Sequence, residues 1–386
     1  MYIHRVNEGE DILSIARKYI TSPEKLAENN GRAASDKPLA GEELLVITPT
    51  RTYTVCEGDD LLKIARRFNV KRRELLASNP ALFGEEKIYP GMSLAIKYQK
   101  ENLGMTAANG FLNASTRISE LKRAIPYLVY VTFAIGVTDG ESVYTKRLSF
   151  DALKEVRAHG RIPLLRIYDA TEGDFLKSRT SRELLCERIV SAARDGGYSG
   201  VVFAAFRAAR DMPREYSDFI FEVRKRMIGS ELIFFTECDE GAAHECTDLA
   251  DGNILVCSKI DKANPKSFKD YENKILLDYA ERAESSKTFV DICAYAYEEG
   301  KYIPLEALGE LTHRSGAKIT HNEDTLLVSV DLGGKKAVYE SLENVKAKLR
   351  LVGELGFMGI NIDISNTPIS HLMTYYATFT PVYYNS

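Results

Sequence analysis

The first hundred residues of this chain contain one unit written twice. Val6-Asn7-Glu8-Gly9-Glu10-Asp11-Ile12-Leu13, continuing to Ile15-Ala16-Arg17, is echoed by Val55-Cys56-Glu57-Gly58-Asp59-Asp60-Leu61-Leu62, continuing to Ile64-Ala65-Arg66. Both copies run on to an asparagine, Asn30 or Asn79, and then to a glycine ahead of an apolar strand, Gly41 or Gly91. A unit this short is too small to be an enzyme and reads as a binding module. Duplicating such a module serves avidity on a repetitive ligand.

Each copy reads strand, helix, helix, strand. In the first, 3–6 is a strand, and Asp11 caps a helix whose apolar face is Ile12, Ile15, Ala16 and Tyr19, spaced i, i+3, i+4, i+7. Ser22-Pro23-Glu24 starts a second helix with a hydroxyl cap, a proline at the first helical position and a carboxylate near the positive end. A strand over 44–47 closes the unit. The second copy places its elements at 53–55, 61–68, 72–78 and 94–98.

Both copies resemble LysM modules, on Glu57 to Leu61 and Ile88 to Gly91, with weaker forms at Glu8 to Ile12 and Leu39 to Gly41. The resemblance implies binding of N-acetylglucosamine glycans such as peptidoglycan and chitin, between the first strand–helix loop and the second helix–strand loop. It implies a groove of Gly9, Glu10, Asp11, Ile12 and Asn30 in the first copy. In the second the groove comprises Gly58, Asp59, Asp60, Leu61, Asn79, Ile88 and Pro90. The same glycines and asparagines also suit turns. Ala40 stands where the pattern has proline, which implies weaker binding by the first copy.

Length and composition bound the remainder. The chain has 386 residues, 45% hydrophobic and 27% charged, enough for several cores. Net charge is −4 and no basic stripe stands out, so nucleic acid is not an expected partner. No charged-then-apolar leader and no apolar run of about 20 residues are seen, so neither a signal segment nor a membrane span is expected. The six cysteines lack a C-x-x-C pair and read as reduced, buried thiols. Cys238, Asp239, His244 and Cys246 cluster in sequence, but their spacing fits no zinc pattern, so no metal and no cofactor are expected.

From Ala107 onward, apolar runs alternate with helical stretches. Strands are expected at 108–112, 128–135, 163–167, 200–206, 232–236, 253–257, 288–295 and 358–364, with helices such as 181–195, 217–227 and 267–283 between them. Eight parallel βα units make a (β/α)8 TIM barrel. A helix at 305–315 and alternating strands beside Asn322-Glu323-Asp324 and Gly333-Gly334 form a small α+β insertion between strands seven and eight. The expected fold is therefore multidomain α/β: modules at 1–48 and 52–98, then a barrel over 106–386 with its insertion near 301–340.

This segment resembles glycoside hydrolase family 18, in its spore-germination and cortex-lytic branch. The resemblance rests on Ala108-Asn109-Gly110-Phe111, on Ile125 to Val131, and on Val338 to Ser341 leading into Val345 to Leu349. It implies peptidoglycan N-acetylglucosaminidase ancestry, deposition at the spore coat, cortex or cell envelope after synthesis in the cytoplasm, and spore-coat proteins as partners. Enzymes of that family carry Asp-Gly-x-Asp-x-Asp-x-Glu on the fourth strand, the glutamate being the general acid. With Gly200 as register, Ser199, Val202 and Ala204 fall at the three Asp positions and Phe206 at the Glu position. The sixth-strand Met-x-Tyr-Asp reads Val256, Ser258 and Lys259, and Asp363 falls where the eighth strand has tryptophan. The chain contains no tryptophan. The resemblance thus implies a glycan-binding protein whose barrel is a pseudo-enzyme. The alternative is an active hydrolase with a relocated acid, for which Asp169, Glu237 and Asp363 are the candidates. Tyr168, Tyr295 and Tyr297 suit either a sugar cleft or ordinary strand positions.

Overall fold

A computed structural model describes the whole chain except residues 83–85, 102, 105–106, 149, 243–246, 258–267 and 379–386, and the side chains of 268–271. Each repeat folds as a two-stranded antiparallel sheet with two helices. The first pairs Tyr2–Arg5 with Glu43–Val46 around helices Ile12–Lys18 and Pro23–Asn29. The second pairs Pro49–Thr54 with Ser93–Tyr98 around Leu61–Phe68 and Arg72–Ala77. Helix starts follow the local chemistry. Asp11 and Asp60 accept from the Ser14 and Lys63 amides at 2.7 Å, and Ser22 caps the helix that Pro23 opens.

Eight parallel strands then close into a barrel: Ala107–Leu112, Tyr130–Thr138, Ile162–Asp169, Gly200–Ala204, Ile233–Cys238, Gly252–Leu255, Thr288–Asp291 and Gly359–Asp363. The first pairs with both the second and the eighth, which completes the ring. Outward side chains such as Val201, Phe203, Ile360 and Ile362 join the main core under the surrounding helices. Inward ones form a separate plug of Ala107, Leu164, Val202, Phe235, Ile254 and Phe289.

Several element ends differ from expectation by a few residues, and two of them bear on the site. Strand seven stops at Asp291, and Tyr295 opens a five-stranded antiparallel sheet made of Tyr295–Glu298, Lys301–Pro304, Lys318–Asn322, Leu327–Asp331 and Lys336–Glu340. Strand four stops at Ala204, and Phe206 opens a short helix, Phe206–Asp211. The insertion's helix, Leu305–Ser315, lies where the pattern put it. A buried triad ties the insertion to the barrel: Lys348 Nζ stands 2.9 Å from Glu272 and 2.8 Å from Glu340. Burial and the neighbouring Glu340 push the Glu272 carboxyl up to about 8.

The modules are not tethered beads. Leu45, Ile47, Ala77, Ala95 and Tyr98 belong to the same apolar cluster as the barrel's Tyr127, Leu372, Met373 and Tyr376. Tyr127 donates to the Ala77 carbonyl at 3.0 Å, and the Ser78 and Tyr376 hydroxyls are 2.6 Å apart. The modules also grip each other, Lys25 donating to Asn79 at 3.0 Å and the Ala81 amide to Glu28 at 2.9 Å. No helix among the described residues is long and apolar enough to cross a membrane.

Candidate functional site

The two loop systems expected to hold glycan are built alike. In the second module, Asp59 Oδ2 takes the Cys56 amide and the Tyr53 hydroxyl, each at 2.8 Å, which pins the turn through Gly58 at φ +78°. In the first, Glu10 Oε2 takes the Asn7 amide at 2.8 Å and meets the His4 ring at 2.8 Å. These acceptor bonds hold the Asp59 and Glu10 carboxyls below the usual carboxylate range. Ile12 and Leu61 are buried in their module cores, and Asp11 and Asp60 are helix caps. The asparagine amides are spent inside the fold. Asn30 bonds the Leu26 and Leu45 carbonyls and the Leu45 amide, all at 2.8 Å, and Asn79 does the same with Leu75 and Ala95. They clasp the second helix to the closing strand, so their side chains have no amide left to turn toward a sugar.

The exposed apolar surface lies elsewhere. Ile88 packs partly on the module core, Gly9, Gly58 and Pro90 are exposed, and between Ile88 and Pro90 stands Tyr89, 62% exposed. Leu62 is also exposed. Tyr89 was passed over among the expected groove residues. Its sequence signal was an aromatic inside the turn motif itself, and amphipathic rings suit a pyranose face.

The first module's matching loop is not free. Leu39, the counterpart of Tyr89, packs on the insertion core of Leu305, Leu308, Ile319 and Val330. His321 Nε2 donates to the Gly41 carbonyl at 2.6 Å, His313 pairs with Glu42, and Glu43 accepts the Leu342 amide at 2.7 Å. Burial pushes the Glu43 carboxyl up to about 7. A cavity of about 650 Å³ lies along this seam, lined by Arg32, Leu308, His313, Tyr339 and His371 among others.

At the barrel mouth, strand four presents no carboxylate. Ser199 precedes the strand, at its foot. Val202 sits in the apolar plug, Ala204 is buried, and Phe206 lies in the following helix. The space beside them is taken by a bidentate ion pair: Arg166 on strand three meets Glu237 on strand five at 2.5 and 2.9 Å. In register, Arg166 neighbours Val202 and Glu237 neighbours Ala204, so the pair bridges across strand four. A guanidinium does not release its proton and the fork occupies both carboxylate oxygens, so Glu237 is a poor general acid.

The other expected substitutes are likewise occupied. Asp169 accepts from Thr171 and from the Gly173 amide. Asp363 accepts from Tyr295 at 2.5 Å, Asn366 at 2.9 Å and the Ser365 amide at 2.9 Å. Tyr168 is partly exposed at the end of strand three, and Tyr297 lies in the insertion sheet. Sequence reading missed Asp291, at the end of strand seven. It joins a chain of side chains in which Thr132 donates to Asn109 at 2.8 Å, Asn109 to Asn361 at 2.8 Å and Asn361 to Asp291 at 2.6 Å. Burial, with the nearby Glu237 and Asp363 charges adding to it, pushes the Asp291 carboxyl up to about 7.

Among the cysteines, Cys186, Cys238, Cys257 and Cys293 are buried, but Cys56 is exposed at the start of the second module's loop. His244, Cys246, Ser258 and Lys259 lie outside the described residues. No cluster of three metal-ligating side chains occurs among the described residues.

The LysM domain family model matches residues 4–46 and again 53–97. Two LysM domains head this chain. The whole chain, LysM domains and barrel together, is similar in structure to the spore cortex-lytic enzyme SleL of Bacillus megaterium QM B1551, with 16% identity, 98% of each chain covered and a TM-score of 0.70. SleL of Bacillus cereus gives 18% identity, 99% of each chain and a TM-score of 0.72. A chitinase from Chromobacterium violaceum ATCC 12472 is similar over 70% of this chain and 98% of its own, with 15% identity and a TM-score of 0.62. A search of curated proteins returned no match.

Proposed function

We propose that this is an envelope or spore protein that binds N-acetylglucosamine polymers, chiefly through its second LysM domain, and that its barrel does not hydrolyse them. The observation that carries the non-catalytic half is the Arg166–Glu237 bridge across strand four. The position where the related fold keeps a protonatable acid is held by small and apolar residues, and a permanent cation fills the adjoining space. The missing tryptophan removes a stacking platform for the reacting sugar. For binding, the support is the pair of LysM matches and the open loop with Tyr89 in the second domain. Location at the spore envelope, with coat proteins as neighbours, rests on likeness to proteins whose names place them at the spore cortex.

One observation favours the alternative. A carboxyl poised near neutrality at the barrel's C-terminal face, as Asp291 is, is what a general acid requires. Incubating the full-length protein with insoluble peptidoglycan separates the two by sedimentation and release of reducing ends. Binding without release is expected. Release that disappears in Asp291→Asn would replace the non-catalytic reading with a hydrolase acting through a displaced acid.

A further inference from the structure

The two LysM domains carry opposite charge. Residues 4–46 hold six Lys and Arg against eight Asp and Glu, whereas residues 53–97 hold eight against six, in a chain of net charge −4. The chain-wide balance conceals this contrast. In the second domain the cations share a surface. Lys63, Arg66 and Arg67 are exposed on helix Leu61–Phe68, and Lys71 and Arg72 are exposed where the next helix begins. Three of these basic positions, Lys63, Lys71 and Arg72, have the uncharged counterparts Ser14, Ser22 and Pro23 in the first repeat, and so does Arg51, just ahead of the matched span, which corresponds to Tyr2.

Two of the cations are held in place by rings. The Arg51 guanidinium lies 4.5 Å from the Phe68 ring centre, and that of Arg67 lies 5.1 Å from Tyr53 and 5.8 Å from Phe68. Tyr53 and Phe68 pack edge to face at 5.1 Å. Cation–π attraction thus offsets the repulsion of two neighbouring guanidiniums and fixes them facing water. Among the described residues Arg66 makes no ion pair and Lys63 has Asp60 only at 3.6 Å, whereas Arg72 is paired with Glu86. The surface begins at the glycan loop. Lys63 Nζ donates to the Gly58 carbonyl at 2.8 Å, and Arg67 donates at 3.0 Å to the Tyr53 hydroxyl that holds Asp59.

We infer that the second LysM domain selects glycans that carry anionic groups, its basic face following the carboxylates of a strand seated in the adjoining groove. This rests on the glycan-binding reading above and adds a substrate class to it: carboxylate-bearing peptidoglycan over uncharged chitin. Exposed contacts of this kind act by counterion release, so the preference must fade with salt.

The test uses the full chain, sedimented with insoluble peptidoglycan and with chitin between 50 and 500 mM NaCl. Peptidoglycan should bind about tenfold more tightly at low salt and lose that advantage at high salt, as counterion release requires. In the double variant Arg66→Glu, Arg72→Gln the two polymers should bind alike at every salt concentration. Equal binding of both polymers by the unaltered protein at low salt would overturn the selectivity and leave glycan binding standing. If neither polymer binds, both readings fall. Displacement from peptidoglycan by a DNA duplex as efficient as by soluble peptidoglycan fragments would show a surface that reads charge alone, which also overturns the inference.

Discussion

The two LysM domains have one backbone plan and different neighbours, and the neighbours decide what each domain is free to do. Gly41 and Gly91 end equivalent turns with almost the same left-handed backbone, φ +91° and +88°. A Cβ on Gly41 would lie 3.0 Å from Ile319 of the insertion, whereas a Cβ on Gly91 would meet nothing within 4 Å. Leu39 is turned into the insertion core, and its counterpart Tyr89 is turned to solvent. The first repeat has become a bracket between the insertion and the barrel, and the second retains an open loop and a basic face. Duplication here leaves one loop packed against its neighbours and the other open to solvent.

The sharpest way to break that contrast is to add the same methyl group to both turns. Gly41→Ala meets backbone strain plus a clash with Ile319 and should lower stability by about 3 kcal/mol, while Gly91→Ala meets strain alone, about 1–2 kcal/mol. Equal losses in urea unfolding would mean the first domain is not clamped. The next largest effect separates binding from folding. Tyr89→Ala should weaken sedimentation with peptidoglycan by about three- to tenfold, the worth of one aromatic contact, and leave the melting temperature in place. Leu39→Ala should do the reverse, costing about 1–2 kcal/mol of stability for a half-buried leucine and little binding. Loss of binding in Leu39→Ala at a temperature where the protein stays folded would return the first domain to glycan duty.

What was legible in the sequence is what short range decides. Asp11, Asp60, Ser22 and Pro23 announce helix starts because a cap bonds amides two or three residues on. Barrel strands show as apolar runs because both their faces are buried. The absence of carboxylates from strand four could be read directly. Its consequence could not, because Arg166 and Glu237 stand 71 residues apart and meet only through the register of three adjacent strands. Asp291 drew no notice for the same reason: its environment is supplied by strands one, two, five and eight. Asn30 and Asn79 were legible as paired residues but not as clasps, since their partners lie 15 and 16 residues further along. A motif likeness records which residues recur, not whether a side chain faces ligand or backbone.

The seam between the first domain and the insertion should respond to pH, and the second domain's open loop should not. Burial raises the Glu43 carboxyl to about 7, with the Glu343 and Glu323 charges reinforcing the rise and Arg5 and the Leu342 amide opposing it. His321, also at the seam, is lowered by burial. Because folded Glu43 keeps its proton to higher pH than it does in the unfolded chain, its contribution favours folding at low pH and is lost as pH rises from about 4.5 toward 7. Asp291 and Glu272 slope the same way. His321 and His371, kept neutral by burial, slope the opposite way below about pH 6.5, so unfolding midpoints should fall between about pH 6.5 and pH 8, and Glu43→Gln should flatten part of that fall. An unchanged slope in the variant would show that Glu43 is hydrated and the seam looser than its contacts imply.

The smallest predicted effect compares one cap in its two copies. Helix Leu61–Phe68 ends on Asn69 at φ +52°, a residue that tolerates the left-handed region, while the equivalent position after helix Ile12–Lys18 is Ile20 at φ +54°. A β-branched side chain in that region costs about 1–2 kcal/mol. Burial does not offset the cost, because Ile20 is 90% exposed. Ile20→Asn should therefore stabilise the protein by about 1 kcal/mol, raising the urea midpoint with no change in glycan sedimentation. If stability rises but sedimentation falls, Ile20 is kept for a contact made by its exposed side chain, and the first domain has a binding role that its clamped loop does not reveal.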